Sequence, residues 1–286
     1  MTTHSTPFRS VLFMPGSNSR ALEKAQSLPT DAVILDLEEA VSPAEKQNAR
    51  EAVCKAVTDR KFGYRTVIIR INALETVWGP DDLTAACAAQ PDAILLPKIG
   101  TADDVLAAEN RIRGSARIWA MMETPMAALN AASIAASSRR LEAFVLGTND
   151  MLKDLGASEM PERASLATAL GLCLLAARAH GLICIDGVYN AFHDTEGLRR
   201  ECEHGLAMGF DGKSLIHPAQ IDVANEVFTP SKSAVARANA EIAAFDAADK
   251  RGEAVGVLDG RIVEKLHADI ARSVIAKAEA IARQGG

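Results

Sequence analysis

The sequence has no long uninterrupted apolar run. Its apolar segments are broken within about ten residues, well short of the roughly 20 that a membrane-spanning helix needs. The N-terminal stretch MTTHSTPFRS lacks the apolar centre of a secretory signal. With 48% hydrophobic residues in 286, the chain has enough apolar side chains for one large core. We therefore expect a protein that does not enter a membrane and is located in the cytoplasm.

The cysteine pattern of a disulfide framework or a structural zinc site is also missing. The five cysteines are odd in number and have no CxxC spacing. They are Cys54, Cys87, Cys173, Cys184 and Cys202. Cys202 and His204 are close in sequence, but positions i and i+2 of a helix face different ways. We therefore expect reduced thiols and no zinc site.

Positive charge is not in excess. The chain has 31 lysines and arginines against 37 aspartates and glutamates, for a net charge of −6, and both signs are spread along it. A nucleic-acid-binding protein needs a basic stripe, so we expect no nucleic-acid partner. Any anionic ligand must be bound by local groups.

Short apolar runs recur along most of the chain, with helical patterns between them. They are SVLFMPG from Ser10, AVILDLEE from Ala32, TVIIRIN from Thr66, AILLPKI from Ala93, RIWAMMET from Arg117, AFVLGTND from Ala143, ICIDGVY from Ile183 and KSLIH from Lys213. Continuous apolar character is typical of parallel strands that are covered on both faces. The Gly-rich phosphate fingerprint of an open doubly wound sheet is absent. The pattern predicts an α/β fold, a (β/α)8 TIM barrel, in residues 1–222.

The pattern becomes helix-rich after Pro218. The segments IDVANEVF, SKSAVARANAEIAAFDAADKRG and EKLHADIARSVIAKAEAIARQ predict helices, and VGVLDG resembles a hairpin. These residues exceed what barrel closure requires. We expect residues 223–286 to form a helical C-terminal arm or lid.

The active site of such a barrel lies at the C-terminal ends of the strands. Polar and ionisable residues close the strand patterns, namely Asp36, Glu38, Glu39, Arg70, Asn72, Lys98, Glu123, Asn149, Asp150, Asp186, Tyr189 and His217. A single carboxylate there often only caps a helix, and an arginine often only pairs with it. Several carboxylates in one cleft repel each other unless a cation shares them. Oxygen ligands favour a hard ion, Mg2+ or Mn2+, and Glu123 and Asp150 are the best pair for it.

A series of segments resembles one known family. RSVLFMPGSN, VILDLEEAVSPAEK, VIIRIN, LPK, METP, LGTNDMLKDLG and GFDGKSLIHPAQI occur in this order, and VLDGRIVEKLH follows in the tail. Together they resemble the citrate lyase β-subunit-like and malyl-CoA lyase proteins of the HpcH/HpaI aldolase superfamily. The resemblance covers essentially the whole chain. It implies a TIM barrel, Mg2+, and cleavage or formation of the carbon-carbon bond of 3-hydroxyacyl thioesters such as malyl-, methylmalyl- or citramalyl-CoA.

The resemblance also implies roles for individual residues. Glu123 and Asp150 match the metal ligands, and Arg70 matches the clamp for the keto-acid carboxylate, with Asn149 as a further substrate contact. Asp259 of VLDG matches an acid that the C-terminal arm of a neighbouring subunit supplies, which implies a homotrimer with a shared arm. The alternative for Asp259 is a plain hairpin turn residue, because Asp-Gly is a strong turn signal.

The CoA contacts implied by the resemblance are Phe13 and Lys24, with Ile216 and His217 beside the thioester. Asp36, Glu38 and Glu39 are expected around the metal ligands. Phe13 alternatively belongs to the core, and Lys24 to a solvated helix face. Two positions depart from the family pattern. Glu39 stands where relatives commonly have Asp, and Asn18 where some carry Arg, which leaves Arg20 as another phosphate contact.

These residues predict an Mg2+-dependent lyase that cleaves citramalyl-CoA or malyl-CoA to a 2-keto acid and acetyl-CoA. The metal would polarise the substrate hydroxyl, Arg70 would fix the carboxylate, and Asp259 would give a proton to the departing enolate. The two substrates differ by one methyl, which a sequence does not distinguish. The alternatives are the β subunit of a citrate lyase that acts on a citryl-acyl-carrier protein, an aldolase of free hydroxy-keto acids, and a relative that binds without turnover.

Overall fold

We describe residues 6–284 in a computed structural model, and they form two compact units. One unit is Phe8–Glu226, and the residues from Val227 onward belong to the other. The predicted domain border after residue 222 and the observed border both lie within one helix, Ile221–Phe228. None of the helices within residues 6–284 combines the length and the apolar character that crossing a membrane requires.

Eight parallel strands close into a barrel in the first unit, in the order of the sequence. They are β1 (Ser10–Pro15), β2 (Ala32–Asp36), β3 (Thr66–Arg70), β4 (Ala93–Leu96), β5 (Arg117–Met122), β6 (Leu141–Leu146), β7 (Ile183–Asp186) and β8 (Gly212–Leu215). The barrel closes where β1 pairs with β8, with Val11 opposite Ser214. Six strands lie within a predicted apolar run, whereas β6 begins two residues and β8 one residue before its run. The predicted (β/α)8 barrel is confirmed.

Ten α-helices begin between or after these strands and before the border, among the described residues. They are α1 (Ser19–Ala25), α2 (Lys46–Thr58), α3 (Gly79–Ala89), α4 (Ala102–Glu109), α5 (Pro125–Leu129), α6 (Ala131–Ala136), α7 (Thr148–Leu155), α8 (Ala167–His180), α9 (Thr195–Met208) and α10 (Ile221–Phe228). Helix α8 ends at Gly181, which adopts the left-handed conformation typical of a glycine after a helix, with φ 70°. The segment PMAALNAASIAA has a continuous helical pattern, but it forms two helices, α5 and α6. It breaks at Asn130, whose side-chain amide donates to the carbonyl of Gly100.

Alternate residues of the strands fill the barrel. Val11, Ile34, Ile68, Met121 and Val145 belong to one buried apolar cluster. Phe8 and Trp119 also belong to it, and their rings pack edge to face with centroids 5.3 Å apart. Because side chains alternate along a strand, residues two positions further on point the same way. Phe13, Asp36, Arg70 and Glu123 therefore point into the C-terminal end of the barrel, which we call the barrel mouth.

The second unit contains helix α11 (Lys232–Asp249), helix α12 (Lys265–Gln284) and an antiparallel hairpin of β9 (Gly256–Leu258) and β10 (Arg261–Val263). Gly256 is needed where the hairpin approaches α11, since a Cβ there would lie 2.6 Å from the carbonyl oxygen of Ala244. The predicted C-terminal helical region and hairpin are confirmed.

Candidate functional site

Two carboxylates converge at the barrel mouth on either side of a lysine. Glu123 directly follows β5 and is buried, and Asp150 lies in the first turn of α7. The ammonium of Lys98 donates to Asp150 Oδ2 and lies 3.5 Å from Glu123 Oε1. The backbone N–H of Lys98 donates to the same Glu123 oxygen at 2.7 Å. The structure therefore brings together the two residues that the sequence predicted as metal ligands.

The expected place of Asp150 at the tip of a strand is wrong. Strand β6 ends at Leu146, and Thr148 already begins α7, so Asn149 and Asp150 are helical. Gly147 makes this close approach possible, because a Cβ at this position would lie 2.3 Å from the Cβ of Glu123. The helix, and not the strand, aims Asp150 at Glu123.

The two carboxylates have pKa values shifted in opposite directions. Burial raises the pKa of Glu123, and the neighbouring charge of Asp150 adds to this against the effect of Lys98. Burial also acts to raise the pKa of Asp150, but its hydrogen bond to Lys98 and the lysine charge lower it overall. Such a divergence is expected when a buried and a more exposed carboxylate share one cation.

The pair fits a magnesium ion. Within residues 6–284, no group of three acidic, histidine or cysteine side chains is close enough to form a complete metal-binding set. Mg2+ is commonly held by one or two carboxylates, with the other positions left to water and substrate oxygens. The positive charge of Lys98 between Glu123 and Asp150 shows that this point of the barrel mouth attracts a cation.

Arg70 is held in place by Asp36 at the neighbouring strand end. Its Nε and Nη2 each donate to an Asp36 carboxylate oxygen at 2.7 Å. Its Nη1 lies 2.9 Å from Glu38 Oε2 and 3.7 Å from Glu39 Oε2. Burial acts to lower the pKa of Arg70, but Asp36 and Glu38 outweigh it and keep the guanidinium charged. Of the three guanidinium nitrogens of Arg70, Nη1 is thus the one that does not bond to Asp36.

Glu38 and Glu39 differ in their surroundings. Burial, with Glu123 and Asp36 nearby, raises the pKa of Glu38 to about 7 against the opposing charge of Arg70. Its buried Oε2 has no partner in hydrogen-bonding geometry, although Arg70 is near. The side chain of Glu39 is 58% exposed and points largely to solvent.

Lys46 also belongs to this region, although no role was predicted for it. Its ammonium donates to the carbonyls of Leu37 and Glu38 and to Asn72 Oδ1, at 2.7 to 2.8 Å. It thereby fixes the loop after β2 that carries Glu38. The lysine of the SPAEK segment is visible in the sequence. Its contact with a loop eight residues away cannot be predicted, because no sequence pattern marks such a contact.

The expected CoA contacts lie on the β1 and β8 side of the barrel. Phe13 is half-buried, and its ring centroid is 4.8 Å from the guanidinium of Arg70. Ile216 is 41% exposed just after β8. His217 caps the following turn, since its Nδ1 accepts from the N–H of Ala219, and its ring stacks on Phe192. Lys24 is exposed on α1.

Asn149 and Asp259 were also expected in the site. The amide of Asn149 pairs reciprocally with that of Asn190, at 2.8 and 3.1 Å, which joins the loop after β7 to the start of α7. Asp259 belongs to the second unit, where it is exposed at the turn between β9 and β10 with φ 49°. This position is compatible with both interpretations of Asp259, a hairpin turn residue or an acid supplied to a neighbouring subunit.

Asp186 does not belong to the ring of polar residues in the barrel mouth, where the sequence placed it. It has no exposed surface, and it pairs with Arg163 Nη1 at 2.5 Å and Lys213 Nζ at 3.1 Å. Lys213 also pairs with Glu201 of α9, and Arg163 contacts His204 of the same helix. As the last residue of β7, Asp186 has a side chain on the helix-facing side of the barrel, which strand alternation explains.

Comparisons with known proteins show the family of the chain. Residues 9–218 match the family described as HpcH/HpaI aldolase/citrate lyase. A (3S)-malyl-CoA thioesterase of Cereibacter sphaeroides is 54% identical over 100% of this chain and 99% of its own. The citrate lyase subunit beta of Escherichia coli is 36% identical over 95% of this chain and 93% of its own.

A solved structure with the same fold contains ligands. The protein CitE from Mycobacterium tuberculosis, in complex with magnesium, acetoacetate and coenzyme A, is 28% identical, with a TM-score of 0.80 over 96% of this chain and 100% of that one. The motif order, the closed barrel and the matched residues lead to one assignment. The chain belongs to the HpcH/HpaI aldolase/citrate lyase family.

Proposed function

We propose that the protein binds Mg2+ through Glu123 and Asp150 and hydrolyses the CoA thioester of a short 3-hydroxy acid of the malyl-CoA class. The observation that carries the metal site is the pair of carboxylates that share the Lys98 ammonium at the barrel mouth. The substrate class and the hydrolysis are supported by the (3S)-malyl-CoA thioesterase that is 54% identical over the whole chain. Mn2+ is expected to replace Mg2+, because both accept oxygen ligands.

The chain's own residues bind and orient the substrate. When bound, the metal supplies a Lewis acid for the hydroxyl and carboxylate oxygens of the acyl group. Arg70 presents its Nη1 side to a substrate carboxylate, and Asp36 keeps the guanidinium plane fixed for this contact. Asn149 is a further polar contact next to Asp150. We propose that the CoA portion binds on the β1 and β8 side of the barrel, where it would contact Phe13, Lys24, Ile216 and His217.

The reaction balances with water as the second reactant. The water oxygen forms a bond to the thioester carbon, the carbon-sulfur bond breaks, and the sulfur leaves with a proton as CoA thiol. We propose that Asp259 exchanges protons with the substrate from the hairpin turn of a neighbouring subunit. Its exposed position at the turn supports this role.

Cleavage of the carbon-carbon bond of the same substrate is the second candidate. It is favoured by the family description, aldolase/citrate lyase, and by the citrate lyase subunit beta at 36% identity. This reaction uses the same metal pair and Arg70, but the products are acetyl-CoA and a 2-oxo acid. A citrate lyase type of substrate on a carrier protein is less favoured, because a relative with a TM-score of 0.80 was solved with coenzyme A itself.

The two reactions are distinguished by their products. Purified protein is incubated with (3S)-malyl-CoA in Mg2+ or in EDTA, and free thiol, malate, acetyl-CoA and glyoxylate are measured in parallel. We expect equal amounts of CoA thiol and malate, released only with Mg2+, and no glyoxylate. Glyoxylate with acetyl-CoA would instead establish the lyase. Release of none of these products would refute the assignment to malyl-CoA.

A further inference from the structure

The ammonium of Lys98 lies at the point where the two carboxylates meet. It donates to Asp150 Oδ2 and is 3.5 Å from Glu123 Oε1. A magnesium ion held by both residues has to lie about 2.1 Å from an oxygen of each. The lysine head group and such an ion thus require the same space. The proposed reaction does not use this lysine.

We propose that Lys98 is an internal competitor for the metal. Its ammonium holds Glu123 and Asp150 together in the metal-free protein, and it leaves this place when a divalent cation binds. The released ammonium then binds the anionic acyl group of the substrate. This inference rests on the proposed magnesium site.

Charge balance explains why one cation has to be present. The side chain of Glu123 is 2% exposed and that of Asp150 is 18% exposed, so their mutual repulsion is poorly screened by water. The two carboxylates together with one ammonium have a net charge of −1, whereas the two carboxylates with one Mg2+ are neutral. Two cations at this point would repel each other. The metal and the ammonium therefore exclude each other, and the divalent ion is the stronger partner.

Lys98 is able to leave because its head group alone has to move. Its side chain is 38% exposed and flexible. Its backbone is fixed at φ 54°, a left-handed conformation that costs energy in a lysine, and its N–H is bonded to Glu123. The neighbouring cationic side chains, in contrast, are held in place by buried partners. Arg70 is bound to Asp36, and Lys46 donates to the buried carbonyl of Leu37.

An order of binding follows from this exchange. Before the metal binds, the ammonium is occupied by Asp150 and is a poor partner for a substrate anion. After the exchange it stays at the barrel mouth on its tether, where a carboxylate bound near Arg70 is the nearest unpaired anion. The metal should therefore bind first and raise the affinity for the acyl group.

The first experiment measures metal affinity directly, by electron paramagnetic resonance of free Mn2+ during titration of the protein. Lys98→Met is compared with wild type and with Lys153→Met, which removes an exposed lysine of α7 that also lowers the pKa of Asp150 through its charge. We expect Lys98→Met to bind Mn2+ about tenfold more tightly than wild type, and Lys153→Met to change affinity less than about threefold. Equal affinities of the two variants would overturn the competition.

The second experiment uses the unmodified protein, so it does not depend on the folding of a variant. Reductive methylation of lysines is followed by peptide mass spectrometry in EDTA, in Mg2+, and in Mg2+ with malate. We expect Lys98 to react slowly in EDTA, several times faster in Mg2+, and slowly again when malate is added, whereas Lys153 reacts at a constant rate. A Lys98 rate that is the same in EDTA and Mg2+ contradicts the exchange, and a rate unaffected by malate contradicts the substrate contact.

The two experiments separate this inference from the proposed function. If wild-type protein binds no Mn2+, the magnesium site itself is wrong, and the proposed function is wrong with it. If it binds Mn2+ while neither Lys98→Met affinity nor Lys98 reactivity changes, only the role of Lys98 is wrong.

Discussion

Asp186 has no exposed surface and lies between two cations, Lys213 and Arg163. Burial on its own raises the pKa of this carboxyl, but the two positive charges and their hydrogen bonds lower it overall. A carboxyl whose pKa is lowered by folding stabilises the fold above its unfolded pKa, and this stabilisation is lost as the pH falls through the folded pKa. The ion pairs of Asp186, at the end of β7, thus stabilise the fold at neutral pH.

Replacing Asp186 with Asn should destabilise the protein by about 3–5 kcal/mol near neutral pH, because two buried cations lose their charged partner. The loss of unfolding free energy relative to wild type should have its largest value above about pH 4. It should become smaller at lower pH, because the wild-type carboxyl then also becomes neutral. Urea unfolding at a series of pH values measures this. The control is Asp59→Asn, which removes an exposed pair with Lys55 and should cost less than about 1 kcal/mol. Equal losses in the two variants would contradict the argument.

The pairing of charges could not be read from the sequence. Arg70 and Asp36 were both placed correctly at strand ends, but their two hydrogen bonds join residues that are 34 positions apart. Which of two adjacent glutamates is buried was equally hidden, because Glu38 and Glu39 differ only in the direction of their side chains. Residue type and position in the barrel mouth were predictable, whereas the choice of partner depends on packing between distant segments.

The start of α7 determines the geometry of the proposed metal site. Gly147 lets the helix begin next to β5, where any side chain at this position would meet Glu123. Gly171, in the middle of α8, provides the comparison, since no atom lies within 4 Å of a Cβ built there.

Gly147→Ala should therefore move Glu123 relative to Asp150. We expect a loss of about 1–3 kcal/mol in stability from overpacking. Metal affinity should also fall at least about tenfold, because the ligand geometry is disturbed. Gly171→Ala should leave metal affinity unchanged and raise stability by about 0.5–1 kcal/mol, as expected for alanine in an open helix position. Thermal unfolding and Mn2+ titration measure both quantities, and unchanged Mn2+ binding by Gly147→Ala would show that the close approach does not matter.

The elements themselves were largely predictable. Buried parallel strands produce continuous apolar runs, and each of the eight strands overlaps such a run. Helix α7 was missed because Gly-Thr-Asn-Asp looks like a loop, and its N-cap is a glycine without a side chain to signal the start. The break between α5 and α6 has no signal in the sequence, because it involves the contact of Asn130 with the distant Gly100.

The whole molecule contains two units, and the expected site residues are divided between them. Glu123, Asp150 and Arg70 belong to the barrel unit, whereas Asp259 belongs to the unit that begins at Val227. Sequence similarity implied that the arm of one subunit serves the barrel of another. We keep this as a proposal, with a homotrimer as the assembly that it implies.

Mixing two inactive variants tests the shared arm. Asp150→Ala removes a proposed metal ligand, and Asp259→Asn removes the proposed acid. After exchange of subunits in equal amounts, about a quarter of the sites should combine an intact barrel with an intact arm, so about a quarter of wild-type activity should return. Thiol release from (3S)-malyl-CoA measures it, with each variant alone as the control. Verified exchange without recovery would mean that Asp259 does not act between subunits.

The most direct test of the central claim, that Glu123 and Asp150 hold the metal, is the anomalous diffraction of manganese in a crystal grown with Mn2+. The account predicts one strong peak at the barrel mouth, roughly 2.1 Å from a carboxylate oxygen of each residue, with the Lys98 ammonium moved away. A peak at another place, or no peak at saturating Mn2+, would contradict it.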